Sequence, residues 1–189
     1  MTDRGSAEDM PEVRVRPLRR VEYDLLVGQG MLTTQDRIEL LDGELVTVTP
    51  QSAPHAGIVE ALTERLAPEL AGIARVRVQL PFAATEHSEP EPDIAIVPAD
   101  EPRDRHPERA LLIIEVADAY ARLDLVRKAR IYAAAGVSAY WVIDINGEVV
   151  HVHADPSAAG YATVTQHGPD EPLDAAGVRL TLRELMDAG

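Results

Sequence analysis

The stretch "ALLIIEVAD", residues 110–118, constrains the fold more than any other. Its apolar side chains fall on both sides of an extended backbone, and Glu115 alone interrupts them. A strand of that kind has to be covered on both faces, so it belongs in the interior of a sheet. "LDLVRKARIYAAAG" at 123–136 then shows helical spacing and ends in Gly136, and "AYWVID" at 139–144 returns as a second apolar strand. Together they predict a βαβ unit with parallel strands and a right-handed crossover.

The rest of the chain supplies shorter elements. "RIELLDGELVTVT" (37–49) reads as two strands joined by Asp42-Gly43, a dipeptide suited to the positive φ angles of a two-residue hairpin. "VEYDLLVGQG" (21–30) is a short helix. "SAPHAGIVEALTERLAPEL" (52–70) is a longer one, capped by Ser52 and kinked or ended by Pro68. Strands are expected at 75–84, 89–98, 139–154 (around an Asn146-Gly147 turn) and 161–166, with a terminal helix near 180–187. The expected architecture is an α/β domain: a mixed β-sheet flanked by helices, with an N-terminal hairpin. Residues 1–18 are polar and proline-punctuated, a flexible arm, and 19–189 form a single domain.

Composition removes several classes of function. There is no cysteine, so neither a disulfide framework nor a cysteine zinc site can form. The first twenty residues have no apolar segment of secretory type, and no run nears the ~18 apolar residues of a membrane span. A cytoplasmic protein without membrane association is expected. The net charge of −14 works against general affinity for nucleic acid.

Glu115 sits where an unpaired carboxylate would be costly. A divalent cation shared with Asp93, at the start of the preceding strand, would relieve that cost, and hard oxygen ligands suit Mg²⁺. A salt bridge to an arginine would relieve it as well. The chain holds 17 arginines and one lysine, Lys128. On the predicted helix, Leu125, Ala129, Tyr132 and Ala133 form the core stripe, and Asp124 and Lys128 flank it. A lysine there can run its stem along the sheet and deliver its ammonium to the two carboxylates, or it can simply pair with Asp124. Glu44 on the hairpin, His55 at a helix start and Asp118 are weaker candidates. His151 and His153 share one face of a strand with no acid beside them.

"PD" at 92–93, an acid in a buried strand and then a lysine resemble the PD-(D/E)XK nuclease superfamily. The chain is more closely similar to its bacterial Uma-two family of restriction-endonuclease-like proteins, over roughly 19–187. The landmarks are "DRIELLDGELVTVTP", His55, "SEPEPDIAIV", "LLIIEVAD", "YAAAGV" and "YWVID". The resemblance implies a restriction-endonuclease-like fold and a Mg²⁺-dependent DNA endonuclease, with Mn²⁺ able to substitute. It implies Asp93 and Glu115 as metal ligands and Lys128 as the third catalytic residue. Positions 115–117 read Glu-Val-Ala, so the usual Glu-x-Lys is absent and the lysine lies on the following helix. Arg103, Arg105, Arg109, Arg122, Arg127 and Arg130 are expected to offset the acidic balance near the site. The competing expectations are a binding or assembly module on the nuclease fold, as a homodimer, and a hydrolase of smaller phosphoesters.

Overall fold

Leu112–Ala117 is buried at every position and lies third in a six-stranded sheet, where a strand apolar on both faces has to be. The structure is a computed structural model and describes residues 15–48, 50–118 and 123–188. Its elements are α1 (Arg20–Gly28), β1 (Ile38–Leu41), β2 (Glu44–Thr47), α2 (Ala53–Glu69), β3 (Ala74–Val78), β4 (Ile94–Pro98) and β5 (Leu112–Ala117). A π-helical turn (Leu123–Lys128) runs into α3 (Ala129–Ala134). Then come β6 (Ala139–Asp144), β7 (Val149–Ser157), β8 (Gly160–His167), β9 (Leu173–Ala175), β10 (Val178–Leu180) and α4 (Leu182–Ala188).

The main sheet has the order β3-β4-β5-β6-β7-β8. Only β5 and β6 run parallel, as the βαβ pattern requires; the other neighbours are antiparallel. The expected α/β domain with a mixed sheet and an N-terminal hairpin is what forms. Side chains alternate between faces. Ile94, Ile96, Leu112, Ile114, Val116, Trp141 and Ile143 pack with α2, α4 and the β9–β10 hairpin. Ala95, Val97, Ile113, Ala117, Tyr140 and Val142 pack with Ala129 and Tyr132 of α3. By parity Glu115 lies on this second face, the face that carries the helix of Lys128.

The N-terminal hairpin is held from several sides. Asp42 and Gly43 take φ of +49° and +80°, as the Asp-Gly signal demands. A Cβ on Gly43 would come within 2.3 Å of the Pro17 Cβ, so glycine also admits the chain that crosses the turn. Gly43 N donates to His87 O at 2.6 Å, Glu89 N to Leu40 O at 2.7 Å, and the Tyr23 hydroxyl to Ile38 O at 2.7 Å. The predicted arm lies mostly outside the described residues, but its end is docked, with Leu18 N donating to Gly43 O.

Several boundaries differ from expectation for local reasons. β3 stops at Val78 because Gln79 turns to φ +50°, and 79–84 carry no ladder although Phe82 is fully buried. The segment 89–93 is likewise outside the sheet, so β4 begins only at Ile94. Pro68 is accommodated in the last turn of α2, which ends at Glu69. The strands of the β9–β10 hairpin are three residues each, too short to show a period in the sequence.

Candidate active site

The β4–β5 register pairs Ile94 with Ile114; continued by one residue it sets Asp93 opposite Glu115. Val116 N donates to Asp93 Oδ2 at 2.9 Å, and Asp93 N lies 3.4 Å from Glu115 Oε2. Both residues are buried, Asp93 at 6% and Glu115 at 4% exposure. Two carboxylates facing each other across a ladder repel and lose hydration together, an arrangement that needs positive charge.

Part of that charge comes from Lys128, itself only 5% exposed. Its Nζ lies 3.0 Å from Glu115 Oε1, 3.2 Å from Glu39 Oε2 and 3.8 Å from Asp124 Oδ1. The π-helical turn sets the position of this lysine. Such turns widen the helix by one residue and are frequent at functional sites; here Tyr140 braces the turn by donating to Asp124 O at 3.1 Å. Tyr132, one helical turn beyond Lys128, donates its hydroxyl to Glu115 Oε1 at 2.8 Å. Asp93, Glu115 and Lys128 therefore gather at one end of the sheet.

One ammonium cannot satisfy three carboxylates. Burial opposes the charge on Lys128, but Glu115, Glu39 and Asp124 together raise its pKa well above the ordinary lysine value. Burial also pushes the Glu115 carboxyl upward against the pull of Lys128, and lifts Asp124 to about 6. The cluster thus holds more carboxyl groups than its one lysine can keep ionised, so some of them tend to keep a proton.

His55, at the start of α2, approaches Asp93 from the opposite face, its Nε2 3.0 Å from Oδ1. Gln79 and Gln51 donate to the same oxygen at 3.3 and 3.4 Å. Burial works against an imidazolium, but the hydrogen bond to Asp93 and the nearby carboxylates outweigh it and raise the His55 pKa.

Glu39, on β1, is the residue that sequence reasoning missed. It is 3% exposed, its Oε1 accepts from Lys128 at 3.3 Å and from Glu91 N at 3.1 Å, and its Oε2 lies 3.2 Å from the same ammonium. The signal was available: Glu39 stands among Ile38, Leu40 and Leu41 as Glu115 stands among Ile114 and Val116. Of the weaker candidates, Asp118 lines the cavity described below, while Glu44 is exposed and pairs with Arg127 at 2.9 Å. His153 packs between the Tyr140 and Tyr161 rings at 5.4 and 5.6 Å, and neither it nor His151 reaches the cavity.

The cluster forms the floor of a cavity of about 620 Å³. Six carboxylates line it, Glu39, Glu91, Asp93, Glu115, Asp118 and Asp124, against three basic side chains among the described residues, Arg37, His55 and Lys128. Among the described residues the expected screen of arginines does not line the cavity. Arg127 donates to Leu41 O, Asp42 and Glu44, and Arg130 to Asp42, so both fasten the hairpin to the helix. Arg103, Arg105 and Arg109 belong to the loop leaving the far ends of β4 and β5, and Arg109 is paired with Asp100 and Glu101. Arg122 lies outside the described residues.

Among the described residues no three His, Asp or Glu side chains cage an ion by themselves. Mg²⁺ does not require such a cage, since it keeps several waters and commonly takes one or two carboxylates plus substrate phosphate. The facing carboxylates and the gathering of more carboxyl groups than one ammonium can satisfy fit a hard divalent cation.

This fold and this cluster define a protein of the restriction-endonuclease-like class. The chain belongs to the family described as "Uma2: Putative restriction endonuclease", whose model matches residues 21–183. Among solved structures it is similar to "a putative nuclease belonging to DUF820" from Anabaena variabilis ATCC 29413. That match has a TM-score of 0.68 at 17% identity and covers 90% of this chain and 98% of the other. The likeness shows the fold. The type IIG restriction endonuclease BpuSI aligns at TM-score 0.35 and 18% identity over 71% of this chain and 14% of its own, too slight to carry an argument. No curated protein matches. No helix among the described residues is long and apolar enough to cross a membrane.

Proposed function

We propose that this protein is a Mg²⁺-dependent endonuclease that hydrolyses phosphodiester bonds of DNA, with Mn²⁺ able to replace Mg²⁺. The observation that carries the reading is the convergence of Asp93 and Glu115, buried and facing, with the Lys128 ammonium 3.0 Å from Glu115. Asp93 and Glu115 would hold the cation. When bound it supplies polarisation of the phosphate and a lowered pKa for an attacking water. Lys128 presents a compact positive charge to the phosphoryl group and steadies the charge that develops on its oxygens. Tyr132 fixes Glu115 and His55 fixes Asp93, so neither carboxylate has to reorganise as the substrate enters. The cavity walls limit the water around these charges, which strengthens each interaction inside.

A binding or assembly module, as a homodimer, is the reading favoured by the engagement of Arg127 and Arg130 within the fold. One assay separates the two. Purified protein is incubated with circular DNA, single-stranded and supercoiled, in Mg²⁺, Mn²⁺ or EDTA. Cleavage in either metal that stops in EDTA and in Glu115→Gln supports the nuclease. Intact DNA in every metal would support the module.

A further inference from the structure

Resting on the nuclease reading, we infer that the strand accepted by this site is unpaired: single-stranded DNA, or an unpaired segment within a duplex, and not intact double helix. The first reason is depth. Asp93, Glu115 and Lys128 are 6, 4 and 5% exposed, so the scissile phosphate has to enter the recess to meet them. About 620 Å³ lies within the range of pockets that engulf one small-molecule ligand, and suits one nucleotide with its phosphates. A duplex holds its phosphates on the surface of a rod with a persistence length of ~150 base pairs, and drawing a nucleotide out of it costs a few kcal/mol of stacking and pairing. An unpaired strand bends into the recess without that cost.

The second reason is charge. Duplex binding is driven by lysine and arginine contacts to a dense row of phosphates. Among the described residues the basic side chains of the cavity are Arg37, His55 and Lys128; three carboxylates already surround Lys128, and His55 is bonded to Asp93. Arg127 and Arg130 are spent on Asp42, Glu44 and Leu41 O. A single strand presents a lower charge density and is repelled less by a chain of net charge −14. Of the exposed side chains among the described residues that line the cavity, Val27, Thr33, Thr34, Thr47, Pro50 and Gln51 are neutral, suited to sugar and base, and Arg37 is the one cation, too few for a phosphate row.

The test uses one labelled oligonucleotide in three forms: single-stranded, annealed as a blunt duplex, and annealed with a central unpaired loop. Bis(p-nitrophenyl) phosphate, a diester with no strand, accompanies them, all in Mn²⁺. Fluorescence anisotropy with Ca²⁺ in place of Mn²⁺ reads binding separately from cutting. The single strand and the loop are expected to be cut, and to bind, at least roughly tenfold better than the blunt duplex, matching the unpairing cost. A duplex cut as fast as the single strand overturns the strand preference and leaves the nuclease reading standing. Hydrolysis of the small diester with no oligonucleotide cut also overturns it. No hydrolysis of any substrate sinks the nuclease reading and the inference with it.

Discussion

Lys128 has three carboxylates within 3.8 Å and an exposure of 5%, so its two replacements by alanine and arginine separate charge from shape. Lys128→Ala leaves buried carboxylates without their cation and should cost ~3–5 kcal/mol in urea unfolding. Lys128→Arg keeps the charge and should lose less stability, at most the ~1–3 kcal/mol of an overpacked site. Its planar guanidinium cannot present a compact ammonium, so DNA cleavage should still fall by about two to three orders of magnitude. An arginine variant that cuts at the parent rate would make Lys128 a structural cation. The importance of Glu115 and Lys128 was legible in the sequence because one breaks an apolar strand and the other is the single lysine. Glu39 was not recognised, because its strand is only four residues long and its partner lies 89 positions away.

The β1–β2 hairpin depends on the π-helical turn for its position. Arg127 donates to Leu41 O at 2.6 Å, Asp42 at 3.2 Å and Glu44 at 2.9 Å, and the hairpin carries Glu39 into the site. Its ion pairs are partly exposed and contribute little alone, whereas the hydrogen bond to the Leu41 carbonyl lies in a protected place. Arg127→Ala should therefore cost about 1–2 kcal/mol and raise amide hydrogen exchange over 38–47, with other strands unchanged. Uniform exchange with the parent would show that contacts to His87 and Glu89 hold the hairpin unaided. Sequence pattern found this hairpin through Asp42-Gly43 and found the βαβ unit through its apolar runs. It could not find the π-helical turn at 123–128, which tertiary contacts such as Tyr140 to Asp124 O support, nor where the partners of the arginines would lie.

For the molecule as a whole, buried charge should make stability depend on pH. Glu89 is 3% exposed, its Oε2 has no hydrogen-bond partner, and burial with the nearby Asp24 lifts its pKa to about 7. Its folded pKa exceeds the unfolded one, so the folded state holds the extra proton between them. Stability is full below about pH 4.5 and is lost as pH rises through about 7, by on the order of 3 kcal/mol from this group. Urea unfolding at pH 5 and pH 8 should show the loss, and Glu89→Gln should reduce it by this group's share, the raised carboxyls of Glu115 and Asp124 supplying the rest; an equal loss in the variant would assign the dependence elsewhere. The sheet and its layers follow from patterns spread over many residues, which is why they could be read from sequence. The gathering of carboxyl groups at one end of the sheet arises from residues distant in sequence, and the proposed metal site depends on it. Calorimetric titration of Mn²⁺ into the parent, Asp93→Asn and Glu115→Gln tests it most directly. Saturable binding is expected in the parent with release of protons from the carboxylate cluster, weakened at least ~10-fold in each variant. Binding of equal strength in all three proteins, or none in the parent at millimolar metal, would contradict it.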